Sequence, residues 1–365
     1  MRFLIPTEPD DLHALLVKIA LEDIGHQVRL LFTADHPTKQ TNSLYVDNDV
    51  YHWKSADDEQ SCEENDYDVV WWRRARKPHL PENLTHPEDY AFVKRENALF
   101  HESLTSNIAP KAWWINNKEA ANRANFKILQ LRIASQCKLM IPKTLCTNDK
   151  KEIEYFLKKQ AKQEIIYKPL CSNVWFEKDK IKMTYTSKIK ASDLDDMSLK
   201  LVPGIYQPEI KKKYELRVTC FGRYCVAAKI DSQAHEDSKL DWRAMDGSHL
   251  NVQPYHLPTL IQNQIHQFMD TLGIVFGSFD FIVTPDNEYI FLEVNEQGQF
   301  LWLDDFNLDF KLLDIFIQFI CNKSKNFTWR PENCLHSIDK YKTQMQVQFE
   351  RNMKHHVFLN GCTIT

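Results

Sequence analysis

The sequence contains little glycine, with eight residues in a chain of 365. No GxGxxG and no GxxxxGK motif can be drawn through them. The glycine-rich turns that hold phosphates in Rossmann dinucleotide-binding domains and in P-loop NTPases are therefore excluded. If the protein binds a nucleotide, it must use a different architecture.

Other absences narrow the class of protein further. No run of about 18 apolar residues occurs, so we expect neither a membrane-spanning helix nor a membrane partner. Lys and Arg total 46 against 50 Asp and Glu, a net charge of −4. This balance excludes a uniformly basic nucleic-acid-binding protein, and we expect no nucleic-acid partner. The nine cysteines include no CxxC, and the amino terminus lacks the apolar core of a secretory signal, so we expect a cytoplasmic protein with free thiols.

The first part of the sequence has the periodicity of an open α/β domain. Arg2–Pro6 and Gln27–Phe32 are predicted strands, and the apolar spacing between them predicts a helix. The segment Thr7-Glu8-Pro9-Asp10-Asp11 offers an Asp, Asp10 or Asp11, to cap the start of this helix, and Gly25 is placed to end it. We expect the α/β domain to extend over residues 1–115.

Beyond that domain, antiparallel strand patterns and helix patterns alternate. Residues 116–322 therefore predict an α+β domain. Lys118–Cys137 is predicted as one helix, and Phe310–Cys321 as a very apolar closing helix. Residues 323–365 are polar and contain no pattern that assigns a structure.

The strongest local signal is a predicted hairpin made of Gly277–Val283 and Tyr289–Asn295. Asp280 lies on its first strand, while Glu293 and Asn295, two positions apart on the second, share a face. Carboxylate and amide oxygens are the ligands that Mg²⁺ prefers. The residues alone leave another interpretation open, in which these acids are ordinary polar positions or one half of an ion pair.

Cationic and polar residues precede the hairpin. Lys127 interrupts an apolar helix and Lys168 ends a strand. An ammonium group suits phosphate oxygens, although each lysine by itself is also consistent with a solvated side chain. Further candidates, first on an edge segment that could hydrogen-bond an adenine and then on an alternating strand, are Gln207, Glu209, Ile210, Glu215 and Arg217.

Taken in order, these residues resemble the ATP-grasp ligase superfamily over about residues 116–322. The similarity is closer to the microviridin-type, or graspetide, branch, whose members are maturases of ribosomally made peptides. The segments that carry it are Asn117–Ala134, Ile141–Asn148, Tyr214–Thr219 and Glu293–Asp304.

The resemblance implies an ATP-grasp fold. Residues 1–115 would form the preATP-grasp domain. A central lobe over about 116–206 and a carboxy-terminal lobe over about 207–322 would then clasp ATP between them. Residues 323–365 stay unassigned.

The resemblance also implies roles for individual residues. Those implied to bind ATP are Lys127, Lys168, Gln207, Glu209, Ile210, Glu215 and Asn295; those implied to bind Mg²⁺ are Asp280, Glu293 and Asn295; and those implied to act in catalysis are Lys168, Arg217 and Arg243. Pro208 stands where the family has Glu. Because proline has no backbone N–H, contact with adenine would fall to the backbone of Glu209 and Ile210.

The implied reaction begins when ATP phosphorylates a side-chain carboxylate of a precursor peptide, and a hydroxyl or amine then attacks the acyl phosphate. The product is an ester or amide cross-link, and the resemblance further implies a homodimer. Two alternatives stay open. One is an ATP-grasp ligase that adds amino acids to the end of a peptide or protein, and the other is a peptide-binding module with a vestigial ATP site.

Three arginines follow the predicted strand Asp68–Trp72, namely Arg73, Arg74 and Arg76. Guanidinium groups suit carboxylates, and the carboxyl ends of strands in open α/β sheets face the ligand crevice. We therefore expect these arginines to bind the substrate. A solvated basic turn or a nucleic-acid patch is the alternative.

An acidic cluster offers a site for a basic residue of the leader, the part of a precursor that the enzyme recognises. Its members are Asp193, Asp195 and Asp196. The resemblance implies that a hairpin over Val174–Ser187, with a turn at Lys178-Asp179-Lys180, and the helix Leu257–Leu272 hold that leader. A solvated acidic loop is the alternative.

Overall fold

The structure, a computed structural model, describes residues 1–359 except 49, 64, 161–162, 172, 178–179, 235–238 and 245–249. Two residues of the predicted turn, Lys178 and Asp179, therefore lie outside the described residues. Backbone packing divides the chain into two compact units, Met1–Ala121 with Lys311–Thr365, and Asn122–Phe310. None of the helices in the described part of the chain is both long and apolar enough to cross a lipid bilayer.

The described residues form α-helices and β-strands in mixed order. The helices α1 to α10 are Leu12–Asp23, Tyr90–Thr105, Lys118–Ala124, Lys127–Gln136, Lys150–Lys159, Asp196–Leu201, Thr259–Leu272, Trp302–Phe306, Leu312–Asn322 and Ile338–His355. The strands β1 to β18 are Arg2–Thr7, Gln27–Phe32, Thr41–Asp47, Val50–Ala56, Ser61–Cys62, Val69–Trp71, Trp113–Ile115, Leu145–Thr147, Ile165–Pro169, Val174–Glu177, Lys180–Met183, Ser187–Ile189, Gly204–Pro208, Tyr214–Phe221, Tyr224–Ile230, Val252–Tyr255, Phe276–Val283 and Tyr289–Asn295.

The first unit contains a parallel sheet with the strand order β2-β1-β6-β7. The predicted βαβ unit is confirmed, because β1 and β2 pair in parallel and α1 connects them. Gly25 follows the end of α1, and its φ of +82° is a conformation that glycine adopts without strain. The N–H groups of Gly25 and His26 return to the carbonyls of Glu22 and Leu21, at 3.0 Å each. This is the hydrogen-bond pattern of a Schellman helix end.

The apolar helix predicted at Phe310–Cys321 is confirmed as α9, and it belongs to the first unit. Its aromatic residues pack against strands of the parallel sheet. The ring centroids of Phe316 and Trp71 are 4.6 Å apart, and those of Phe319 and Trp113 are 5.2 Å apart.

The segment that the sequence left unassigned contains α10, which packs against α1. Ser337 caps the helix through its hydroxyl oxygen, which accepts a hydrogen bond from the Lys340 N–H at 3.4 Å. Within α10 the buried residues are Tyr341 and Asn352. Most residues of this helix are polar and few of its side chains are fully buried, which weakens the signal of the sequence pattern.

Asp11 precedes α1, but the expectation that its carboxylate caps the helix is wrong. The carboxylate instead accepts hydrogen bonds from Thr7 Oγ1 at 2.7 Å and from Arg73 Nε and Nη2 at 3.0 and 3.3 Å. Both charged side chains are buried, with 0% of Arg73 and 2% of Asp11 exposed. Burial raises the pKa of Asp11, but the Arg73 guanidinium outweighs it and holds this pKa at about 2.

The second unit contains a four-stranded and a five-stranded antiparallel sheet, with strand orders β12-β9-β13-β8 and β16-β15-β14-β17-β18, and the two-stranded antiparallel sheet β10-β11. The predicted carboxylate hairpin is confirmed as β17 and β18. Helix α7 covers one face of the second sheet, where the Phe268 ring lies 5.5 Å from Phe279 and 5.3 Å from Phe291.

The single helix predicted over Lys118–Cys137 is wrong, because the structure has two helices there, α3 and α4. The N–H groups of Asn125 and Phe126 bond only three residues back, to Asn122 and Arg123. Phe126 then adopts an extended backbone, with φ −84° and ψ 95°. The short amide of Asn125 competes with helical hydrogen bonds, which favours a break at this point. As a result, Lys127 becomes the first residue of α4.

Replacing Arg73 with Met should lower the free energy of unfolding by about 3–5 kcal/mol, because Asp11 would stay buried without its cation. The contribution of Asp11 also depends on pH, since its pKa is about 2 when folded and 3.8 ordinarily. It is complete above about pH 4 and is lost as the pH falls toward about 2. Urea denaturation of the wild type and the variant, at neutral pH and in acid, measures both effects.

The matched control is Lys54→Met, which removes an ion pair with Glu63 whose side chains are 52% and 60% exposed. Exposed pairs contribute less than about 1 kcal/mol. An equal loss of stability in the two variants would contradict the role given to the buried pair.

Candidate functional site

Side chains from the four-stranded and the five-stranded sheet of the second unit line one cavity of about 260 Å³. On the smaller sheet, Ile205 pairs with Lys168 and Gln207 with Ile166, which puts these four residues on one face. All four line the cavity. The larger sheet contributes Glu215, Arg217, Asp280, Ile282, Leu292, Glu293 and Asn295.

A row of charged side chains crosses strands β14, β17 and β18. Arg217 is in register with Asp280, and Asp280 with Glu293. Arg217 Nη1 donates to both carboxylate oxygens of Asp280, at 2.8 and 2.7 Å, and its Nη2 donates to the Gln299 carbonyl at 2.8 Å. Asn295 Nδ2 donates to Asp280 Oδ2 at 3.3 Å. The structure thus brings the three predicted metal ligands to one wall of the cavity.

A β-bulge aims Glu293 into this wall. The register between β17 and β18 shifts after Asp280, so that Asp280 pairs with Glu293 while the next residue, Phe281, pairs with Phe291. Leu292 is therefore the extra residue, and it lines the cavity together with Glu293. In a regular strand these two neighbours would point to opposite faces. Without the bulge, Glu293 would face the buried side where α7 packs.

Lys127 lies at the start of α4 and forms an ion pair with Glu293. Burial raises the pKa of Glu293, but the charges of Lys127, Arg243 and Lys168 outweigh it and hold this pKa at about 2. Burial likewise raises the pKa of Asp280, and in this case Arg217 only partly compensates. The wall therefore carries one firmly ionised carboxylate beside one that is harder to ionise.

Gln130, one turn after Lys127, fixes α4 to the edge strand β18. Its side-chain amide donates to the Val294 carbonyl at 3.1 Å and accepts from the Val294 N–H at 2.9 Å. Sequence reasoning missed this positioning role, because a glutamine in a helix gives no signal of where its amide binds. The contact holds Lys127 beside the carboxylates.

Lys168 reaches the cavity from the opposite sheet. It forms no ion pair with any described residue, unlike the other lysines and arginines that line the cavity. Burial lowers its pKa, and Glu293 opposes this shift. An ammonium group without a counter-ion, held in a cavity, favours an anionic ligand.

The segment around Arg243 forms a further part of the cavity wall. Arg243 Nε and Nη2 donate to the two carboxylate oxygens of Asp241, at 2.8 and 2.7 Å. Burial raises the pKa of Asp241, but these hydrogen bonds hold it at about 2. Trp242, which lies between Asp241 and Arg243 in the sequence, stacks on Trp302, with ring centroids 4.9 Å apart and planes at 27°. The tryptophan stack was not predicted, because the two residues are 60 positions apart and pair only in the fold.

The predicted adenine-binding segment also lines the cavity. Gln207 Nε2 donates to Thr144 Oγ1 at 2.9 Å. The Glu209 N–H donates to the Glu164 carbonyl at 2.7 Å, so it already forms a hydrogen bond at the end of the paired strands β9 and β13. No described residue accepts a hydrogen bond from the N–H of Ile210.

Another predicted ATP-binding residue, Glu215, is buried in the cavity wall. Its Oε1 accepts a hydrogen bond from Lys212 Nζ at 2.9 Å. Burial raises the pKa of Glu215, and Lys212 opposes that shift. Lys212 was not among the predicted residues.

The three predicted substrate-binding arginines lie in the first unit, and each forms an ion pair with a nearby acid. Arg73 is buried against Asp11. Arg74 Nη2 lies 2.7 Å from Glu8, and Arg76 donates to the same carboxylate through Nε and Nη2, at 2.5 and 2.9 Å. Arg74 is the most accessible of the three, with 26% of its side chain exposed.

The predicted acidic cluster is exposed and does not line the cavity. Asp193 accepts a hydrogen bond from the Lys190 N–H, and Asp195 caps α6 through the Ser198 N–H, both at 2.8 Å. Asp196 forms an ion pair with Lys150 at 2.7 Å. Each carboxylate therefore has a local partner.

Three solved structures are similar to this chain over most of its length. The RiPP-associated ATP-grasp ligase of Chryseobacterium gregarium, in complex with ADP and a leader and core peptide, is 26% identical with a TM-score of 0.77, covering 92% of this chain and 99% of that one. The macrocyclase MdnC of Microcystis aeruginosa MRC, bound with the precursor peptide MdnA, is 29% identical with a TM-score of 0.76, covering 89% and 100%. MdnB, a macrocyclase from the same organism, is 28% identical with a TM-score of 0.70, covering 86% and 98%.

A comparison with protein-family models gives no match, and a comparison with curated proteins gives none either. The similar structures nevertheless extend over both compact units, and their ATP-grasp fold is the one that the sequence resemblance implies. The predicted resemblance to RiPP-associated ATP-grasp ligases of the microviridin-type branch is therefore confirmed by structures that are similar to this chain over most of its length.

Proposed function

We propose that this protein is an ADP-forming ligase that cross-links side chains of a ribosomally made precursor peptide. The observation that carries the proposal is the cavity in which Lys168, a cation without a described counter-ion, shares the space with the carboxylates of Asp280 and Glu293. A triphosphate needs such cations, together with oxygen ligands for its metal. The peptide substrate is supported by two of the similar structures, which are complexes with a leader and core peptide and with a precursor peptide.

The residues around the cavity divide the binding of ATP among them. Lys168 and Lys127 hold phosphate oxygens. Of the predicted adenine contacts, the Glu209 N–H is already used in the sheet. Adenine is therefore bound by the Ile210 N–H and the Glu209 carbonyl.

The donor set of the wall suits Mg²⁺. Asp280 and Glu293 supply carboxylate oxygens and Asn295 an amide oxygen, all of them hard ligands. The described residues contain no cage of three or more His, Cys, Asp or Glu side chains. Phosphate oxygens and water would complete the coordination, as is usual for Mg²⁺ at phosphoryl-transfer sites. When bound, the ion would neutralise charge that develops on the phosphates.

The chemistry begins with the meeting of two anions, the substrate carboxylate and the γ-phosphate. Lys168 and Arg217 reduce their repulsion. A carboxylate oxygen bonds to the γ-phosphorus while the bond to the bridging oxygen of ADP breaks, which gives an acyl phosphate. A hydroxyl or amine of the peptide then attacks the acyl carbon and loses its proton, and inorganic phosphate leaves. We assign Arg243, which lines the cavity, the role of stabilising the charge on the departing phosphate.

An acyl phosphate must be shielded from water until the peptide nucleophile attacks. The stacked pair Trp242 and Trp302 supplies a large apolar surface on the cavity wall. We assign this pair the role of excluding water from the intermediate.

In the first unit we assign recognition of a substrate carboxylate to Arg74, the most accessible of the three arginines, with Arg76 beside it. Arg73 is too buried to contact a peptide and instead stabilises the fold. We assign the exposed Asp193, Asp195 and Asp196 to contact with a basic leader residue. We further propose that the protein works in the cytoplasm, which is supported by the free thiols of its eight described cysteines.

Mass spectrometry distinguishes the candidate functions. The protein is incubated with ATP, Mg²⁺ and a short Thr-, Asp- and Glu-containing precursor peptide, which is sought among the reading frames next to its gene. Cross-linking should lower the peptide mass by one water per bond, because each condensation releases one water. Amino-acid addition would raise the mass, and a binding module would leave it unchanged.

Replacing Lys168 with Met should weaken binding of a non-hydrolysable ATP analogue by about tenfold or more, since a hydrogen bond to a charged group contributes about 1.5–3 kcal/mol. Titration calorimetry measures the change. Lys213→Met is the matched control, because Lys213 bonds to Asn287 and does not line the cavity. Equal affinity in the two variants would remove Lys168 from the phosphate site.

Replacing Trp242 with Leu should raise the number of ADP molecules released per cross-link formed, because water would reach the acyl phosphate. Parallel measurement of ADP and of peptide mass gives this ratio. Tyr155→Leu, at a residue that is 61% exposed and outside the cavity, provides the control. An unchanged ratio in Trp242→Leu, together with slower turnover, would show that the stack does not exclude water.

A further inference from the structure

Two cysteines face each other at the turn end of the hairpin formed by β14 and β15. Cys220 is in register with Cys225, and their Sγ atoms are 2.9 Å apart. The strands join through Gly222 and Arg223, and Gly222 has a φ of +61°, which suits a tight hairpin turn. Cross-strand neighbours have the Cα spacing that a disulfide requires, so a small change of side-chain torsion would join the two sulfur atoms.

The two thiols differ in their surroundings. Cys220 is fully buried, whereas Cys225 is partly exposed. Cys225 Sγ lies 3.5 Å from His266 Nε2 on α7, and Arg223 binds the same helix through the His266 carbonyl at 3.1 Å and Asp270 at 2.6 Å. An imidazole and a guanidinium beside one sulfur favour its thiolate.

The pKa values follow this asymmetry. The hydrogen bond with Cys220 contributes most to lowering the pKa of Cys225 to about 6, and His266 and Arg223 lower it further against the opposing effect of burial. Burial raises the pKa of Cys220 well above its ordinary value. Cys225 is therefore suited to be the attacking thiolate, and Cys220 to be the resolving thiol that completes a disulfide with it.

We propose that Cys225 and Cys220 form a peroxide-reactive dithiol site that closes reversibly into a disulfide. The Cys225 thiolate attacks one oxygen of a peroxide, the O–O bond breaks, and the released hydroxide or alkoxide takes a proton. The Cys220 thiol then attacks the sulfenic sulfur and loses its proton, and the departing hydroxide leaves as water. The two thiols lose two electrons and the peroxide gains two, and an external dithiol reverses the change.

The site is separate from the cavity. Arg217 and Cys220 are three positions apart on β14, so their side chains point to opposite faces of the sheet. Arg217 lines the cavity, and Cys220 faces the side where α7 and His266 pack. Oxidation should therefore leave binding of the ATP analogue within about twofold of the reduced protein, which corresponds to less than about 0.5 kcal/mol.

The test uses the full chain and hydrogen peroxide, followed by alkylation of free thiols, digestion and mass spectrometry. At about one equivalent of peroxide, the expected product is a peptide pair joined through Cys220 and Cys225, two hydrogen atoms lighter and restored by dithiothreitol. Prior oxidation of the exposed Cys146 or Cys171, with the pair still reduced, would overturn the proposal.

Variants test the roles within the pair. Cys225→Ser should slow the consumption of peroxide at this site at least tenfold, whereas Cys220→Ser should still consume it and stop at the sulfenic acid, which dimedone traps. Cys146→Ser, which changes an exposed thiol elsewhere, should still form the disulfide.

His266→Phe should slow disulfide formation, whereas His256→Phe, at an exposed histidine that has no contact with the pair, should not. Peptide mapping of the unaltered chain decides the outcome even if a core variant fails to fold. Equal oxidation rates in Cys225→Ser and the wild type would refute the assigned nucleophile.

Discussion

The cavity depends on the stabilisation of two partly buried carboxylates that lie side by side. Asp280 and Glu293 pair across neighbouring strands, and like charges at that distance oppose each other's ionisation. Arg217, on a third strand, forms an ion pair with Asp280, and Lys127, on a helix, forms an ion pair with Glu293. The alternation of charge is fixed by strand register, because a slip of one residue would turn every member of the row to the opposite face. The pairing of the strands therefore also determines which charges lie next to each other in the cavity wall.

This arrangement also decides which cations are free to meet a ligand. Arg217, Lys127 and Arg243 already have internal partners, so a phosphate must share or replace those partners. Lys168, on the opposite sheet, has no such partner among the described residues and gives up nothing when an anion arrives. The cavity thus presents one ready cation and several that respond to the occupant. Preorganisation of this kind lowers the reorganisation cost of binding.

Much of this was accessible from the sequence, because the strand and helix patterns are local. The periodicity predicted the hairpin that holds Asp280 and Glu293, and the order of the cationic, polar and acidic candidates along the chain indicated the resemblance to the family. The bulge at Leu292 was not accessible, since it depends on pairing with a strand that the local pattern does not specify. The hydrogen bonds between the Gln130 side chain and the Val294 backbone were not accessible for the same reason. These features arise from contacts between distant segments, whereas the sequence pattern reports neighbours along the chain.

The hydrogen bonds between Gln130 and Val294 also affect the edge of the sheet. Strand β18 is the edge of its sheet, and exposed edges readily accept an added strand from any extended chain. Here the outward N–H and carbonyl of Val294 are occupied by Gln130, and the N–H of Phe291 is taken by the Met140 carbonyl. An extended peptide therefore cannot pair with β18 as a further strand at Val294 or through the N–H of Phe291 unless it displaces these internal hydrogen bonds.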